Sequence, residues 1–188
     1  MKHVAGVDLR DGEVRWKIPF PGKTAVIPTP IFQKDQVFVA AGYKVGCLSA
    51  RLGFEDEPQV LYQNTDMVNH HGGVILHGDQ LYGYSDGGGW TCMEFATGKV
   101  VWAEKKALGK GAIHYCDGRF ILLEESSGTV VMIDASADGW KERGRFVLEA
   151  QSAERSPQGK IWTHPVVANG HLYLRDQERL SCYDVSAP

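Results

Sequence analysis

The residue types with the most chemistry in this chain of 188 residues are its seven histidines and four cysteines. Two histidine-bearing segments stand out, Asn69-His70-His71-Gly72-Gly73 and Lys160-Ile161-Trp162-Thr163-His164-Pro165. Imidazoles beside an indole and an ammonium suit a small anion or a peptide, and three imidazole nitrogens converging on one point suit a transition metal. Among the cysteines, Cys47, Cys92, Cys116 and Cys182, there is no Cys-x-x-Cys pair, so neither a dithiol redox centre nor a zinc knuckle is encoded. Gly87-Gly88-Gly89 and Ser126-Ser127-Gly128 join strand to strand rather than strand to helix, so they read as turns and not as phosphate cradles. Neither a Gly-x-Ser-x-Gly elbow nor a His-Glu-x-x-His pair occurs. No catalytic residue and no metal site is assigned.

The element that positions the histidines is a repeat. An apolar pair, a tight turn of Asp, Gly or Asn, and an apolar-aromatic strand recur at 30–39, 74–83, 113–122 and 165–174, so the copies start 39 to 52 residues apart. Each reads as a β-hairpin, because Asp-Gly, Gly-Asp and Asn-Gly tolerate positive φ and the flanks are β-branched or aromatic; only Lys34-Asp35 is a weak turn. A third strand follows each hairpin, at 45–49, 90–94, 130–134 and 180–184. That period with four short strands per unit is the signature of a β-propeller, since one small sheet cannot bury both faces alone and stacks on its neighbours around an axis. The expected fold is all-β, about four four-stranded antiparallel blades at 28–63, 72–105, 111–149 and 163–185, with 4–19 supplying a strand pair that precedes the first blade or closes the last.

In this register His71, Lys110 and Trp162 are equivalent, with Ile27 in the first blade. The segments that carry them lead into the innermost strands and should lie at one mouth of the central channel, where propellers bind ligands. His70, His71, Lys110, Trp162 and His164 are therefore the candidate ligand-binding residues. A structural role is the competing reading, since these loops need polar side chains to satisfy backbone groups bending over the axis. The irregular segment 149–159 could fold over the same mouth, and His77, at a hairpin turn, should be solvated. Cys47, Cys92 and Cys182 fall at one position of the third strands, filled by Met132 in the remaining blade, which predicts four buried, unpaired packing groups.

The third strand runs on into a further motif. Asp8-Leu9-Arg10-Asp11-Gly12-Glu13-Val14-Arg15-Trp16 and Glu94-Phe95-Ala96-Thr97-Gly98-Lys99-Val100-Val101-Trp102 resemble the aspartate, threonine-glycine, tryptophan pattern that closes each repeat of the PQQ-like, quinoprotein-type propellers. The resemblance gives Gly12 and Gly98 the chain reversal, and Trp16 and Trp102 a docking role between blades. Trp102 should then matter more to stability than Trp90, which follows three glycines. The third blade departs from the pattern, offering Phe146 where Trp is expected. The likeness runs from about Gly6 to Val185 and is closest to bacterial, non-catalytic members, which carry about twice as many blades, so the chain looks like half a ring. It implies a periplasmic or exported location, although the first residues lack the apolar stretch of a signal peptide. Quinone-dependent dehydrogenases of the superfamily use PQQ and calcium, and usually an adjacent Cys-Cys pair that is missing here. No cofactor is expected, with PQQ and calcium kept for the alternative of a degenerate or partial quinoprotein dehydrogenase.

Twenty basic against twenty-three acidic side chains give a net charge of −3, and no dense Lys/Arg block is present to draw nucleic acid. No apolar run is long enough to span a bilayer. The resulting expectation is a non-catalytic binding or scaffold module for a protein, peptide or glycan. A homodimer could complete the ring if 13–19 serves as the outer strand of the fourth blade of a second copy.

Overall fold

The computed structural model describes residues 2–53 and 57–186, so residues 54–56 of the expected first blade lie outside the described residues. All seventeen described elements are strands. A two-stranded antiparallel pair, β1 (His3–Val7) and β2 (Val14–Pro19), comes first. Then follow three four-stranded antiparallel sheets, each in sequence order: β3 (Ile31–Gln33), β4 (Gln36–Ala41), β5 (Gly46–Arg51), β6 (Gln59–Asn64); β7 (Val74–His77), β8 (Gln80–Ser85), β9 (Gly89–Glu94), β10 (Val100–Glu104); β11 (Gly111–Cys116), β12 (Arg119–Glu124), β13 (Thr129–Asp134), β14 (Glu142–Val147). A three-stranded sheet closes the series, with β15 (Val166–Ala168), β16 (His171–Asp176) and β17 (Arg179–Asp184).

Turn chemistry sets these boundaries. Asp117 and Gly118 have φ of 47° and 73°, and Asn169 and Gly170 have 51° and 74°, the left-handed pair that a two-residue hairpin demands. The weaker Lys34-Asp35 turn still forms, with Lys34 at φ 58° and Gln33 paired to Gln36. The repeat-closing motif is the same structure twice: Asp8 N–H donates to Glu13 O and Gly12 N–H to Asp8 O, as Glu94 N–H donates to Lys99 O and Gly98 N–H to Glu94 O, all at 2.8–2.9 Å.

In the first three sheets the middle strands are near-continuous apolar runs because each of these sheets is covered on both faces. In β4, Val37 and Val39 pack with Ile18, Phe20, Leu48 and Ala50 against the β1–β2 pair. Their neighbours Phe38 and Ala40 point the other way and, with Cys47 of β5, meet Leu81, Met93 and Phe95 in the second blade. Tyr82, Trp90 and Cys92 meet Phe120, Leu122 and Ile133 between the second and third blades. Ile121, Leu123 and Val130 meet Leu172 and Leu174 between the third and fourth. The first strands adjoin one another at the axis: Ile113 N–H donates to Gly72 O at 3.0 Å, and Val167 N–H to His114 Nε2 at 3.2 Å.

Four expectations are corrected. Strand pairing puts Cys92, Met132 and Cys182 opposite the third residue of the second strand, but Cys47 opposite the fifth, so Cys47 sits two residues earlier in the repeat. Cys47 and Cys92 are buried, whereas Met132 is 38% exposed because the fourth sheet has no outer strand among the described residues to cover it that far from the axis, and Cys182 is exposed on the face of the fourth sheet turned away from the third blade. Trp90 is buried at 2% exposure, while Trp102 is only half-buried, its Nε1 donating to Ser136 O. Segment 149–159 is pinned at the turns after β12 and β16, with Ser152 N–H and Arg155 both donating to Asp176 and Gln151 to Ser127 O, and among the described residues it adds nothing to the lining of the mouth cavity. His77 is half-buried and stacks on Tyr115 at 4.6 Å between ring centroids. The β1–β2 pair packs on the first blade, as the strand pair that precedes it, and makes no ladder with β17.

Burial pushes the Cys47 thiol up to about 12 and the Cys92 thiol up to about 11, which leaves almost no thiolate at neutral pH. A bulky maleimide should therefore label Cys182 promptly in the folded protein and spare Cys47 and Cys92; prompt labelling of the latter two would show that the blade cores are not closed.

Candidate functional site

The segments that lead into the first strands converge at one end of the axis. Counting back three residues from the equivalent hairpin positions Pro30, Val74, Ile113 and Pro165 gives Ile27, His71, Lys110 and Trp162. All four line a single cavity of ≈ 460 Å³, together with Ala25, Tyr43, His70, Glu125 and Lys160. Its rim is apolar and open, with Ile27 60% and Trp162 54% exposed.

The floor is a polar network that the repeat assembles. Asp86 and Glu125 occupy the same position, just past the second strands β8 and β12. Lys110 reaches back from the third blade to Asp86, Nζ to Oδ1 2.9 Å, and also contacts His70 Nδ1. His70 Nδ1 lies 3.2 Å from Asp86 Oδ2, and its Nε2 accepts the Tyr43 N–H at 3.0 Å. That acceptance places the ring proton of a neutral His70 on Nδ1, facing Asp86. His71 meets Trp162 edge-on at 6.2 Å between centroids, and its backbone oxygen is bonded to His164 Nε2 at 2.7 Å. Glycine makes room for both outer imidazoles: a Cβ at Gly42 would fall inside the His70 ring, and one at Gly73 would come within 2.8 Å of the His164 ring. His70, His71, Lys110 and Trp162 are thus brought together in the cavity wall, while His164 stands behind it as a brace. Asp86, Glu125, Tyr43 and Lys160 escaped the reading of the sequence; applying the repeat register to the turns after the second strands would have found the two carboxylates.

Burial holds His71 well below its ordinary value, at about 4, with the Lys110 charge acting the same way. Burial pushes the Glu125 carboxyl up. At neutral pH His71 is therefore neutral, and its Nε2, 3.4 Å from Glu125 Oε2, is buried without a hydrogen bond among the described residues. A base whose folded pKa is depressed takes up more protons unfolded, so its stabilising contribution is intact above about pH 6.5 and is lost as pH falls toward 4. Burial also lowers His70 and His114. Urea midpoints should drop between pH 7 and pH 5, and His71→Gln should flatten that slope; an unchanged slope would mean that His71 titrates normally.

Among the described residues no group of three or more His, Cys, Asp or Glu is placed to hold a metal, and the Lys110 ammonium stands where a cation would bridge His70 and Asp86. Calcium, which needs six or more oxygens, does not fit this arrangement.

A family model described as outer membrane protein assembly factor BamB matches residues 2–104, just over half of the chain. The chain belongs to this family of PQQ-like repeat propellers. No match was found among curated proteins. Among solved structures it is similar to BamB from Moraxella catarrhalis, at TM-score 0.65 and 14% identity over 96% of this chain and 51% of that one. It is similar as well to the Cps50 (Swd1) β-propeller domain of Myceliophteria thermophila, at TM-score 0.59 and 11% identity over 98% and 64%. A third likeness, at TM-score 0.55 and 12% identity over 90% and 49%, is to a chain in the structure of S. cerevisiae Dbp5 bound to Nup159, Gle1, IP6 and ADP. At these identities the likenesses show the propeller fold, and the chain spans about half the length of the BamB chain it matches. Among the described residues no helix is long and apolar enough to cross a membrane.

Proposed function

We propose that this propeller is a non-catalytic interaction module that takes a peptide segment of a protein partner at the channel mouth. One observation carries the reading: four repeat-equivalent side chains, one from each blade, line one cavity whose open rim is Ile27 and Trp162. An exposed indole and an exposed aliphatic side chain above desolvated polar groups form the composition of a binding hot spot, and ≈ 460 Å³ accommodates one or two side chains. The comparisons support the same class of function, since the family description is that of an assembly factor and one similar fold comes from a complex of proteins. A glycan stacked on Trp162, or PQQ with calcium in a degenerate quinoprotein site, would give other outcomes.

The test is selection of peptides from a random display library on the folded chain, followed by titration of the selected sequences. Binding should be saturable and weaken about tenfold or more in Trp162→Ala, with the thermal melt unchanged because Trp162 is exposed. Failure to select any Trp162-dependent peptide, with glycans or PQQ plus calcium quenching tryptophan fluorescence saturably instead, would overturn the proposal.

A further inference from the structure

We infer that the segment taken at the mouth is acidic: a carboxylate set between Lys160 and His71, beside an apolar side chain held between Ile27 and Trp162. This rests on the mouth being a peptide seat and adds the chemistry of its occupant. Two cations, Lys110 and Lys160, and one carboxyl group, Glu125, line the cavity, with Asp86 behind Lys110 and His70, and they are not equally committed. Lys110 is already paired with Asp86. Lys160 lines the cavity with no ion pair or hydrogen bond among the described residues, so its ammonium is the group available to a ligand. His71 offers a buried, unpartnered Nε2 beside it. Of the two carboxyl groups, Asp86 is already paired, and burial disfavours the charge on Glu125. An incoming carboxylate therefore meets a free ammonium, the His71 ring N–H in the tautomer that carries the proton on Nε2, and a carboxyl group that can donate its proton when protonated. An incoming ammonium would meet two lysines and the Glu125 carboxyl, whose charge burial disfavours.

Geometry places the apolar part. Trp162 lies edge-on to His71, so a side chain resting on the indole brings its neighbour up to the His71 ring. Ile27, from the first blade, closes the opposite rim. The occupant is a short extended segment with an aromatic or large aliphatic residue next to Asp or Glu, and charge-assisted hydrogen bonds to Lys160 supply its selectivity.

The experiment uses synthetic peptides that pair one Phe or Trp with one Glu at varied spacing, each matched by its Gln and its Lys analogue, titrated by fluorescence anisotropy. The best Glu peptides should bind about tenfold tighter than their Gln analogues, and the advantage should fall with added salt. Lys160→Gln should collapse the Glu-over-Gln advantage while leaving the Gln analogues unaffected, and Lys160→Arg should preserve it. Equal binding of Glu and Gln peptides, preference for the Lys analogues, or an advantage that survives Lys160→Gln would each overturn the inference while leaving the peptide-binding reading intact. If none of these peptides binds and library selection yields none either, both fall together.

Discussion

Replacing Trp90 by Ala should cost about 3–5 kcal/mol of stability, the largest loss expected of any single core substitution in the chain. The indole is 2% exposed between the second and third blades, meets Tyr84 edge-on at 5.6 Å, and donates Nε1–H to Gly109 O at 3.1 Å. Its removal leaves a cavity and an unpaired carbonyl at the lead-in to β11, so both the transfer and the hydrogen-bond losses apply. Trp102→Ala should cost clearly less, about 1–2 kcal/mol, since its ring is half-buried at the outer edge and only one face is covered. Urea melts of the two variants decide the matter: equal losses, or a larger loss for Trp102, would mean that the blade interface is organised from the outer strand inward.

The inversion of those two tryptophans shows how far the sequence could be read. Strand count, hairpin turns and the closing motif were legible because each is a local pattern, with Gly12 and Gly98 reversing the chain at φ 79° and 73°. Trp90 was misjudged because its cover comes from Gly109, nineteen residues on, in the next blade. The slip at Cys47 has a different cause. Side chains alternate with period two, so an error of two residues keeps the same face, and Cys47 remains buried against the second blade although its repeat position was wrong. Ile27, His71, Lys110 and Trp162 could be aligned from the hairpins alone. Their carboxylate partners could not, because Asp86 and Glu125 reach the mouth only when the second strand of a blade runs back beside the first.

Gly72→Ala should be nearly as damaging in a smaller package, with a loss of about 2–3 kcal/mol and a weakened mouth. A Cβ at Gly72 would lie 1.9 Å from Gly111 O and 2.9 Å from its carbonyl carbon, and backbone atoms cannot step aside as a side-chain tip would. The same residue's carbonyl accepts Ile113 N–H, the bond that ties the lead-in of β7 to β11 at the axis. Relief of the clash must part the second and third blades where His71 and Lys110 line the cavity. Gly12→Ala is the control: its Cβ would meet nothing within 4 Å, so only the positive φ is penalised, at about 1 kcal/mol. Denaturant midpoints of the two variants should differ by more than their error; matching losses would place the strain in the turns and not at the axis.

The most direct check on the mouth as a binding site is an amide chemical-shift map of the folded chain titrated with a library-selected peptide. The arrangement of the blades predicts that shifts cluster at Ile27, Tyr43, His71, Lys110 and Trp162 together, one group from each of four blades that are far apart in sequence. Shifts confined to the opposite hairpin tips, at Lys34, Asp79, Asp117 and Asn169, or to one blade edge, would contradict it.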